Sequence, residues 1–406
     1  MIINETTKSK IIDTCSAKDV ARAETLADIH LSTYGRGEYI FSSPGRVELV
    51  GNHTDHNRGK VMASAINLDI MAIVSRCDGY IRINSEGYLP FEVNLEDLSK
   101  VDSEEGTSIA VVKGVAHYFA THGKRIGGFC ATMNSNVPKG AGVSSSAAFE
   151  VLVGEIISYL YNDDSISYDF LAQAAHYAEV EYFGKPCGLL DQFAIAAGGV
   201  TYMDFENPAE PIVERLTPRF EGVSMVLIAT GGDHSDLTEH YASIRAEMEA
   251  VAGELGEDCL RRVPIAKFEE SIPLLKQKLG GRPIMRALHF FEENKRVDMA
   301  RQSVVDNRDD LFYYTLTQSG MSSYQLLQNC YVPGDVDQFI PLALTISARC
   351  RGVRGYRVHG GGFAGTILTF CEDKYVEEYV KYMSTLFPSV SVLKFRQAGA
   401  ICLGEL

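Results

Sequence analysis

The amino-acid sequence predicts an α+β protein built from two domains. A chain of 406 residues is longer than one typical hydrophobic core accommodates, so two domains of roughly 200 residues each are expected. Segments with helical spacing of apolar residues interleave with segments of period two in both halves of the chain. The segment NPAEP at 207–211 breaks this periodicity. We therefore place a first domain at 1–205 and a second at 206–406.

The first half begins with apolar positions at helical spacing over 11–33, and the period changes to two at Tyr39. The run YIFSSPGRVELVG predicts a strand that is interrupted by a Ser-Pro-Gly turn. Further strand-like runs, which suggest an antiparallel sheet, lie at 62–77, 79–87 and 91–95. The other predicted elements of this half are a helix at 109–122, a strand at 128–136, a long apolar helix that ends at Tyr161, helices at 168–183 and within 187–199, and a strand at 200–205.

The second half repeats this mixture of strand and helix patterns. Its predicted strands lie at 225–232, 353–360, 365–371, 391–396 and 400–406. Its predicted helices lie at 234–255, 287–307 and 375–387. The alternation predicts helices packed on sheets in this half too, but it does not determine the topology.

Composition and charge exclude several classes of protein. Hydrophobic residues make up 46% and charged residues 22% of the chain, which is typical of a soluble globular protein. No run approaches the eighteen or so apolar residues that span a bilayer, and the first ten residues lack a leader's apolar core, so we expect a cytoplasmic protein. Nine scattered cysteines without a CxxC pair suggest reduced thiols. A net charge of −15 argues against nucleic-acid and anionic-membrane partners, and no obligate protein partner is predicted.

The segment PKGAGVSSSAA predicts a phosphate-binding loop. Gly140 and Gly142 allow the backbone to approach a ligand closely, and three hydroxyls follow at 144–146. The segment leads directly into the long apolar helix, whose free N–H groups and dipole favour an anion. It is not a Walker loop, because no Gly-Lys-Ser/Thr follows at the required spacing. Taken alone, the same pattern also fits a flexible turn before a capped helix.

Two further segments carry a more specific signal together with this loop. GRVELVGNHTDHNRG precedes it and HGGGFAGTIL lies near the C-terminus. In order and spacing the three resemble the three motifs of the galacto-homoserine-mevalonate-phosphomevalonate (GHMP) kinases. The first resembles the galactokinase signature, which in most members reads Gly-Arg-Val-Asn-Leu-Ile-Gly-Glu-His-Thr-Asp-Tyr-Asn. AEVEYFGKPCGLLDQF, HSDLTEHYASIR and RALHFFEENKRV are similar to other galactokinase segments, so the resemblance covers nearly the whole chain from Gly35.

The resemblance implies a fold and an activity. The N-terminal domain is expected to be a mixed sheet backed by helices, the C-terminal domain a ferredoxin-like α/β sandwich, and the active site the cleft between them. The implied reaction is transfer of a phosphoryl group from ATP to the anomeric hydroxyl of galactose, with ATP and Mg²⁺ as cofactors. In such a transfer the protein positions the groups and neutralises charge.

The resemblance also implies roles for individual residues. Asp191 matches the catalytic base, and Arg46 would keep it ionised and steady the phosphoryl group. Ser145 or Ser146 would hold Mg²⁺ together with Glu179, as hard oxygen ligands. The residues expected to bind the sugar are Asn52, His53, Asp55, Gly188 and Tyr241. The residues expected to bind ATP are Pro138, Gly140, Ala141, Gly142, Val143, Ser144, Ser145 and Ser146.

The run HTDH also raises the possibility of a metal site. Three or four converging ligands are needed for zinc, whereas adjacent side chains in an extended segment point to opposite faces, so we disfavour this interpretation. His56 and His359 are expected to be structural or to lie at the rim of the site. Glycines 360–362 are expected to let the second domain's backbone approach the site.

Asn52 and His56 depart from the galactokinase signature. Asn52 stands where most members carry glutamate, and His56 follows where they carry tyrosine. For a neutral sugar the exchange costs about 1 kcal/mol. For a sugar with a carboxylate at C6 it removes a repulsion of order 4 kcal/mol at roughly 4 Å. We therefore keep galacturonic acid as an alternative substrate beside galactose.

Two further functions stay open. Some galactokinase relatives are non-catalytic sugar and ATP sensors, in which the serine-alanine step of the second motif is incomplete; that step is intact here at 145–148. Other GHMP branches, such as mevalonate or homoserine kinases, lack the His-Thr-Asp run. The loop ATGGDHSD is shorter than the corresponding galactokinase loop, which leaves the adenine contacts unassigned.

Overall fold

The computed structural model describes residues 3–138, 142–232, 237–363 and 365–406. Its strands are β1 Tyr39–Val50, β2 Lys60–Cys77, β3 Tyr80–Ser85, β4 Phe91–Asn94, β5 Gly128–Ser135, β6 Val200–Asp204, β7 Ile212–Leu216, β8 Val223–Ala229, β9 Val353–His359, β10 Thr366–Glu372, β11 Ser389–Leu393 and β12 Ile401–Glu405. Its helices are α1 Glu5–Thr14, α2 Lys18–Tyr34, α3 Ser108–Thr121, α4 Ser145–Tyr161, α5 Tyr168–Tyr177, α6 Leu190–Ala197, α7 Thr238–Glu254, α8 Ile265–Leu279, α9 Gly281–Val305, α10 Asp309–Ser322, α11 Phe339–Ser347 and α12 Asp373–Met383.

The first sheet has eight strands, and the long strand β2 organises it. β1 pairs with one edge of β2, while β5 and β6 pair with different halves of its other edge. The predicted antiparallel arrangement is correct for β1–β2 and β3–β4, but β3 runs parallel to β5. Helix α3 lies between these strands in the chain and provides the crossover that a parallel pair requires. The sheet is therefore mixed, as the resemblance implies.

Strand β1 continues through the Ser-Pro-Gly segment, so the predicted interrupting turn is wrong. Its register against β2 shifts between Pro44 and Arg46, which indicates a bulge. A bulge accommodates a proline that has no N–H to donate to a neighbouring strand. A Cβ at Gly45 would lie 2.8 Å from the carbonyl oxygen of Val143, so glycine lets the phosphate loop pass close to the strand. The bulge thus brings two predicted motifs together.

The second sheet has the order β11-β8-β10-β9 and is antiparallel throughout. Helices α11 and α12 pack on it around a core that includes Ile228, Ile367 and Tyr379. Helices α7, α8 and α9 form a separate apolar cluster around Phe268 and Phe290. Helices α8, α10 and α11 and strand β7 were not predicted from the sequence.

The division at 205 and 206 stays a prediction. In hydrogen bonding, β7 pairs with β6 and the last strand, β12, returns to pair with β1, so the first sheet includes strands from both parts of the chain. Within the described ranges, no helix is long and apolar enough to cross a membrane.

Candidate functional site

Arg46, Ser144 and Asp191 meet at the junction of β1, the phosphate loop and α6. Arg46 Nε donates to Asp191 Oδ1 at 2.7 Å, and its Nη1 donates to the carbonyl oxygen of Gly142. The Ser144 hydroxyl donates to Asp191 Oδ2. Arg46 therefore ties the predicted catalytic carboxylate to the predicted phosphate loop.

Asp191 is ionised at neutral pH in this arrangement. Burial by itself would raise the pKa of Asp191, but the charge of Arg46 and hydrogen bonds from Arg46 and Ser144 outweigh burial and lower it. The side chain remains 34% exposed, so the carboxylate can still accept a hydrogen bond from a ligand.

The described part of the phosphate loop is prepared for an anion. Gly140 and Ala141 lie outside the described residues. Ser144 precedes α4 in the left-handed conformation, with φ of 59°, and its hydroxyl does not cap the helix because it is bound to Asp191. The first N–H groups of α4 therefore have no side-chain partner from the N-cap residue, which favours an anionic ligand there.

Asp55 and Gly188 are in direct contact. A Cβ at position 188 would overlap the Asp55 carboxylate, so glycine is required for this approach. Burial, together with the negative charges of Asp191 and Glu48, raises the pKa of Asp55 to about 6. The structure thus brings this predicted sugar residue into electrostatic contact with the predicted base.

His53 and Tyr241 both reach the glycines of the third motif. His53 Nε2 lies 3.0 Å from the carbonyl oxygen of Gly361, and the Tyr241 hydroxyl donates to that of Gly362 at 3.0 Å. A Cβ at position 361 would overlap the Tyr241 ring. Burial lowers the pKa of His53 to about 4, so the ring is neutral at pH 7 and donates from Nε2.

The HTDH segment is not extended, so that premise for disfavouring a metal was wrong. His53 has φ of 57°, and a 3₁₀ turn follows at Asp55–Asn57. His56 Nδ1 lies 3.0 Å from Asn57 Nδ2, and its ring nitrogen Nε2 is buried without a hydrogen-bond partner. His359 is structural: its Nε2 accepts from the backbone N–H of Glu48 at 3.1 Å, and its Nδ1 donates to Thr366 at 3.2 Å.

Asn52 is engaged by protein groups on all sides. It is fully buried, and its Nδ2 donates to Glu48 Oε2 at 3.1 Å and to the carbonyl oxygen of Gly360 at 2.8 Å. Its Oδ1 accepts from Asn329 at 2.8 Å and from Ser323 at 3.2 Å. The predicted sugar contact of Asn52 stays a prediction, and these partners count against it, because no polar atom of the side chain is left for a ligand.

Glu48 and Arg357 were missed by the sequence analysis. Arg357 is fully buried, donates to Glu48 Oε1 at 2.7 Å and donates to the carbonyl oxygen of Leu49 at 2.7 Å. Burial raises the pKa of Glu48 although Arg357 opposes this rise. Both oxygens of Glu48 accept hydrogen bonds from charged or amide donors, as those of an ionised carboxylate do. We name Glu48, Asn52 and Arg357 the buried clasp, since they join the end of β1 to β9.

Buried polar side chains of helix α9 hydrogen-bond to the backbone of residues 51 and 52. Glu293 Oε1 accepts from the backbone N–H of Gly51 at 2.9 Å, and His289 Nε2 donates to the carbonyl oxygen of Asn52 at 2.8 Å. Burial would raise the pKa of Glu293, but His289, Arg296 and other donors lower it to about 2. The segment GRVELVGNHTDHNRG is therefore held by buried polar groups from distant parts of the chain.

A cavity of about 890 Å³ opens beside the phosphate loop. Predicted residues on its wall are Pro138, Ser145, Ser146 and Glu179. Its wall also includes residues that the sequence analysis did not single out, among them Tyr88, Leu89, Phe91, Glu150, Phe183 and Lys185. Tyr88 and Leu89 lie between β3 and β4 and are 55% and 89% exposed. They therefore offer apolar surface at the cavity to a flat ring.

The side-chain oxygen atoms on the wall of this cavity are suitable ligands for a hard divalent cation. Glu179 is buried, and its Oε2 accepts from Gln192 Nε2 at 2.7 Å. The same Nε2 donates to Glu150 Oε2 at 3.2 Å, whereas Glu150 Oε1 is buried without a hydrogen-bond partner. Two carboxylates and the hydroxyls of Ser145 and Ser146 thus line one cavity, and all are ligand types that Mg²⁺ prefers.

Comparisons with known proteins identify relatives of this chain. Residues 28–76 match the family model of the galactokinase galactose-binding signature, and residues 110–199 match that of the GHMP kinase N-terminal domain. A galactokinase of Thermotoga petrophila is 30% identical over 84% of this chain and 93% of its own length. The galactokinase of Homo sapiens is 30% identical over 89% of this chain and 91% of its own length.

Solved structures share the fold. The Lactococcus lactis galactokinase complexed with galactose has a TM-score of 0.81 at 22% identity, covering 94% of this chain and 99% of that protein. The mevalonate kinase of Methanococcus jannaschii has a TM-score of 0.63 at 14% identity, covering 88% of this chain and 98% of its own.

Proposed function

The chain belongs to the galactokinase family, and we propose on that basis that it transfers the terminal phosphoryl group of ATP to the anomeric hydroxyl of galactose. One observation supports this proposal above the others. The Arg46 guanidinium lies 2.7 Å from Asp191 and also holds the carbonyl oxygen of Gly142 in the phosphate loop. A single permanent charge is thereby shared between the group that receives the proton and the loop that receives the phosphates.

Asp191 would hold the anomeric hydroxyl and take its proton. Because the pKa of Asp191 is lowered by Arg46 against the effect of burial, the carboxylate is a weak base that accepts hydrogen bonds throughout the working pH range. A loose phosphoryl-transfer transition state places little negative charge on the attacking oxygen, so orientation matters more than base strength. Arg46 would keep Asp191 ionised and offset the charge of the transferred group.

Asp55, His53 and Tyr241 would bind the sugar beside Asp191. Asp55 lies against Gly188, two residues before α6 begins and three before Asp191. The negative charge of Asp191 is close enough to Asp55 to contribute to the raised pKa of Asp55. An ionised Asp55 is a strong acceptor for a sugar hydroxyl, and the Tyr241 hydroxyl donates to the carbonyl oxygen of Gly362 in the third motif.

ATP would occupy the cavity, with its phosphates at the start of α4 and its base near Tyr88 and Leu89. Ser145, Ser146, Glu179 and Glu150 are the residues that would hold Mg²⁺, which would supply positive charge to the phosphates. The reaction is proposed for the cytoplasm, since all nine cysteines are free thiols, as they are in a reducing compartment.

The test is phosphate transfer from ATP with Mg²⁺ to galactose, galacturonic acid, N-acetylgalactosamine and glucose. Galactose is expected to be the best acceptor. Asp191→Asn keeps the shape of the side chain but removes its charge, and should lower kcat about a hundredfold or more. The matched control is Asp163→Asn, which changes an aspartate whose side chain is 87% exposed and should retain wild-type activity.

The outcomes distinguish the candidate functions. A clear preference for galacturonic acid would contradict the proposed substrate. Tight binding of galactose and ATP without transfer to any acceptor would contradict the proposed activity and favour a sensor. Full activity in Asp191→Asn would contradict the role of Asp191.

A further inference from the structure

Lys185 lies in the nucleotide cavity with its ammonium group on a carboxylate that is expected to bind metal. Its Nζ is 2.7 Å from Glu179 Oε1, and its backbone N–H donates to the carbonyl oxygen of Glu179 at 3.1 Å. The Lys185 side chain is 57% exposed, whereas that of Glu179 is 4% exposed. A hydrogen bond therefore fixes the backbone of Lys185, while more than half of its side chain is exposed.

The cavity has an unfavourable charge for a polyphosphate. Glu86, Glu150 and Glu179 line it, and Lys185 is the one positively charged residue among its described lining. The whole chain carries a net charge of −15. Because the N–H groups of α4 act only over the first turn, a cation on the cavity wall would add to the attraction that Arg46 and a bound metal give the phosphates.

Lys185 and a metal ion would compete for the same oxygen. Glu179 Oε2 already accepts from Gln192 at 2.7 Å and from Cys187 at 3.2 Å, which leaves Oε1 for a metal. In the structure this Oε1 accepts from Lys185. A Mg²⁺ ion binds at about 2.1 Å from its oxygen ligands, and a second cation on the same oxygen would be repelled. A metal bound at Glu179 Oε1 would therefore displace the ammonium group of Lys185.

We propose that Lys185 is a phosphate-binding residue that leaves Glu179 for the phosphates of ATP when Mg²⁺ binds. The inference rests on the proposed function, since it requires ATP in this cavity. A lysine suits the exchange because it presents three rotatable donors on a flexible four-carbon stem. The ammonium group thus lies on the carboxylate that would bind the metal and on the wall of the cavity that would hold the phosphates.

The experiment must separate direct phosphate binding from simple neutralisation of Glu179. Lys185→Met alone does not do so, because it also leaves a bare carboxylate that repels ATP. We would therefore measure ATP affinity by titration calorimetry for Glu179→Gln and for Glu179→Gln/Lys185→Met, in excess chelator and in Mg²⁺. In the Glu179→Gln background the lysine no longer has a charged partner, so the second substitution reports its own contact with ATP.

The double variant should bind ATP about tenfold more weakly than Glu179→Gln in the chelator, since a charge-assisted hydrogen bond is lost. Lys185→Arg in the same background should stay within about threefold of Glu179→Gln. The matched control is Glu179→Gln/Lys278→Met, which removes a lysine that pairs with Glu254 outside the cavity and should not change ATP affinity. Thermal unfolding of each variant verifies that it is folded.

Equal ATP affinity in Glu179→Gln and Glu179→Gln/Lys185→Met would overturn the inference, and Lys185 would then only shield Glu179. That result would leave the proposed function intact, because the wild-type protein would still bind and use ATP. Failure of the wild-type protein to bind ATP, with or without Mg²⁺, would overturn both.

Discussion

Asn52→Glu tests the buried clasp, because the substitution restores the glutamate of the common galactokinase signature at a position where this structure has no room for its charge. The Asn52 amide donates to Glu48 Oε2 at 3.1 Å and to the carbonyl oxygen of Gly360 at 2.8 Å. A glutamate cannot donate when ionised, so both hydrogen bonds are lost. Its carboxylate would face Glu48 in a fully buried environment.

The size of the effect follows from the distance. Asn52 Nδ2 lies 3.1 Å from Glu48 Oε2, and a negative charge placed at that nitrogen would be repelled by about 5 kcal/mol at an effective dielectric constant of about 20. The protein can avoid this repulsion by protonating one carboxyl group, which costs about 4 kcal/mol at pH 7 for a group with an ordinary pKa of about 4.3. Because protonation costs less than the repulsion, its cost sets the upper limit of the destabilisation. We therefore expect a loss of roughly 3 to 4 kcal/mol in the free energy of unfolding.

The repulsion between the two carboxylates should also make the loss of stability depend on pH. Burial already raises the pKa of Glu48, and a second carboxylate would raise it further in the folded state but not in the unfolded chain. A carboxyl group with a raised pKa in the folded state destabilises the protein increasingly as the pH rises from its unfolded value to its folded value. The difference in stability between wild type and Asn52→Glu should therefore be smaller at pH 5 than at pH 7.

Urea unfolding at both pH values measures this difference, and Glu48→Gln/Asn52→Glu is the control. In the double variant the amide introduced at position 48 can donate to the carboxylate introduced at position 52, so more than half of the lost stability should return. The ratio of kcat/KM for galactose and galacturonic acid should change less than about threefold in Asn52→Glu. Unchanged stability, or a tenfold swing of that ratio towards galactose, would refute the reasoning and return Asn52 to the sugar site.

Three further predictions concern the catalytic and sugar-binding residues. Gly188→Ala should raise KM for galactose at least tenfold, because the added methyl group overlaps the Asp55 carboxylate. The control is Gly253→Ala in helix α7, where the added methyl group would meet open space within 4 Å. This control should leave KM unchanged and stabilise the helix by about 0.5 to 1 kcal/mol. KM for galactose should rise as the pH falls through about 6, where Asp55 becomes protonated, while Asp55→Asn should have a high KM that does not change between pH 5 and 7.5; a wild-type KM that is flat over this range would show that Asp55 does not bind the sugar as an anion. Arg46→Lys should lower kcat more than tenfold, because a lysine cannot hold Asp191 and the Gly142 carbonyl at once, and a kcat within twofold of wild type would contradict the double role of Arg46.

The parts of the site that the sequence predicted lie in segments that resemble GHMP kinase motifs. The roles of Arg46 and Asp191 came from that resemblance, whereas the glycines and helix start around Ser144 indicate an anion site by themselves. The structure brings the three side chains together. Topology came from the resemblance, since period and length alone did not show that β3 pairs parallel with β5. Nor could they show that β1 continues through a proline, because a bulge and a turn share the same residue preferences.

The clasp and Lys185 escaped prediction for a different physical reason. Arginine and lysine are mostly surface residues, so nothing in the sequence marks Arg357 as fully buried or Lys185 as a cation on the described wall of a cavity. Their partners are set by tertiary contacts: Arg357 lies 309 residues from Glu48 in the chain. A signal did exist in the departures from the common signature, which include Glu48 as well as Asn52 and His56: Glu48 stands where most members carry asparagine.

Considered together, the departures at positions 48 and 52 bear on the choice of substrate. The common signature has asparagine at position 48 and glutamate at position 52, whereas this chain has the reverse, and the two side chains are hydrogen-bonded to each other. The segment therefore keeps one carboxylate, moved by four residues and paired with Arg357, and its charge still acts on Asp55. A sugar with a carboxylate at C6 would be favoured only if the site had lost a negative charge. Because the charge is relocated within the clasp, Asn52 gives no reason to prefer galacturonic acid over galactose.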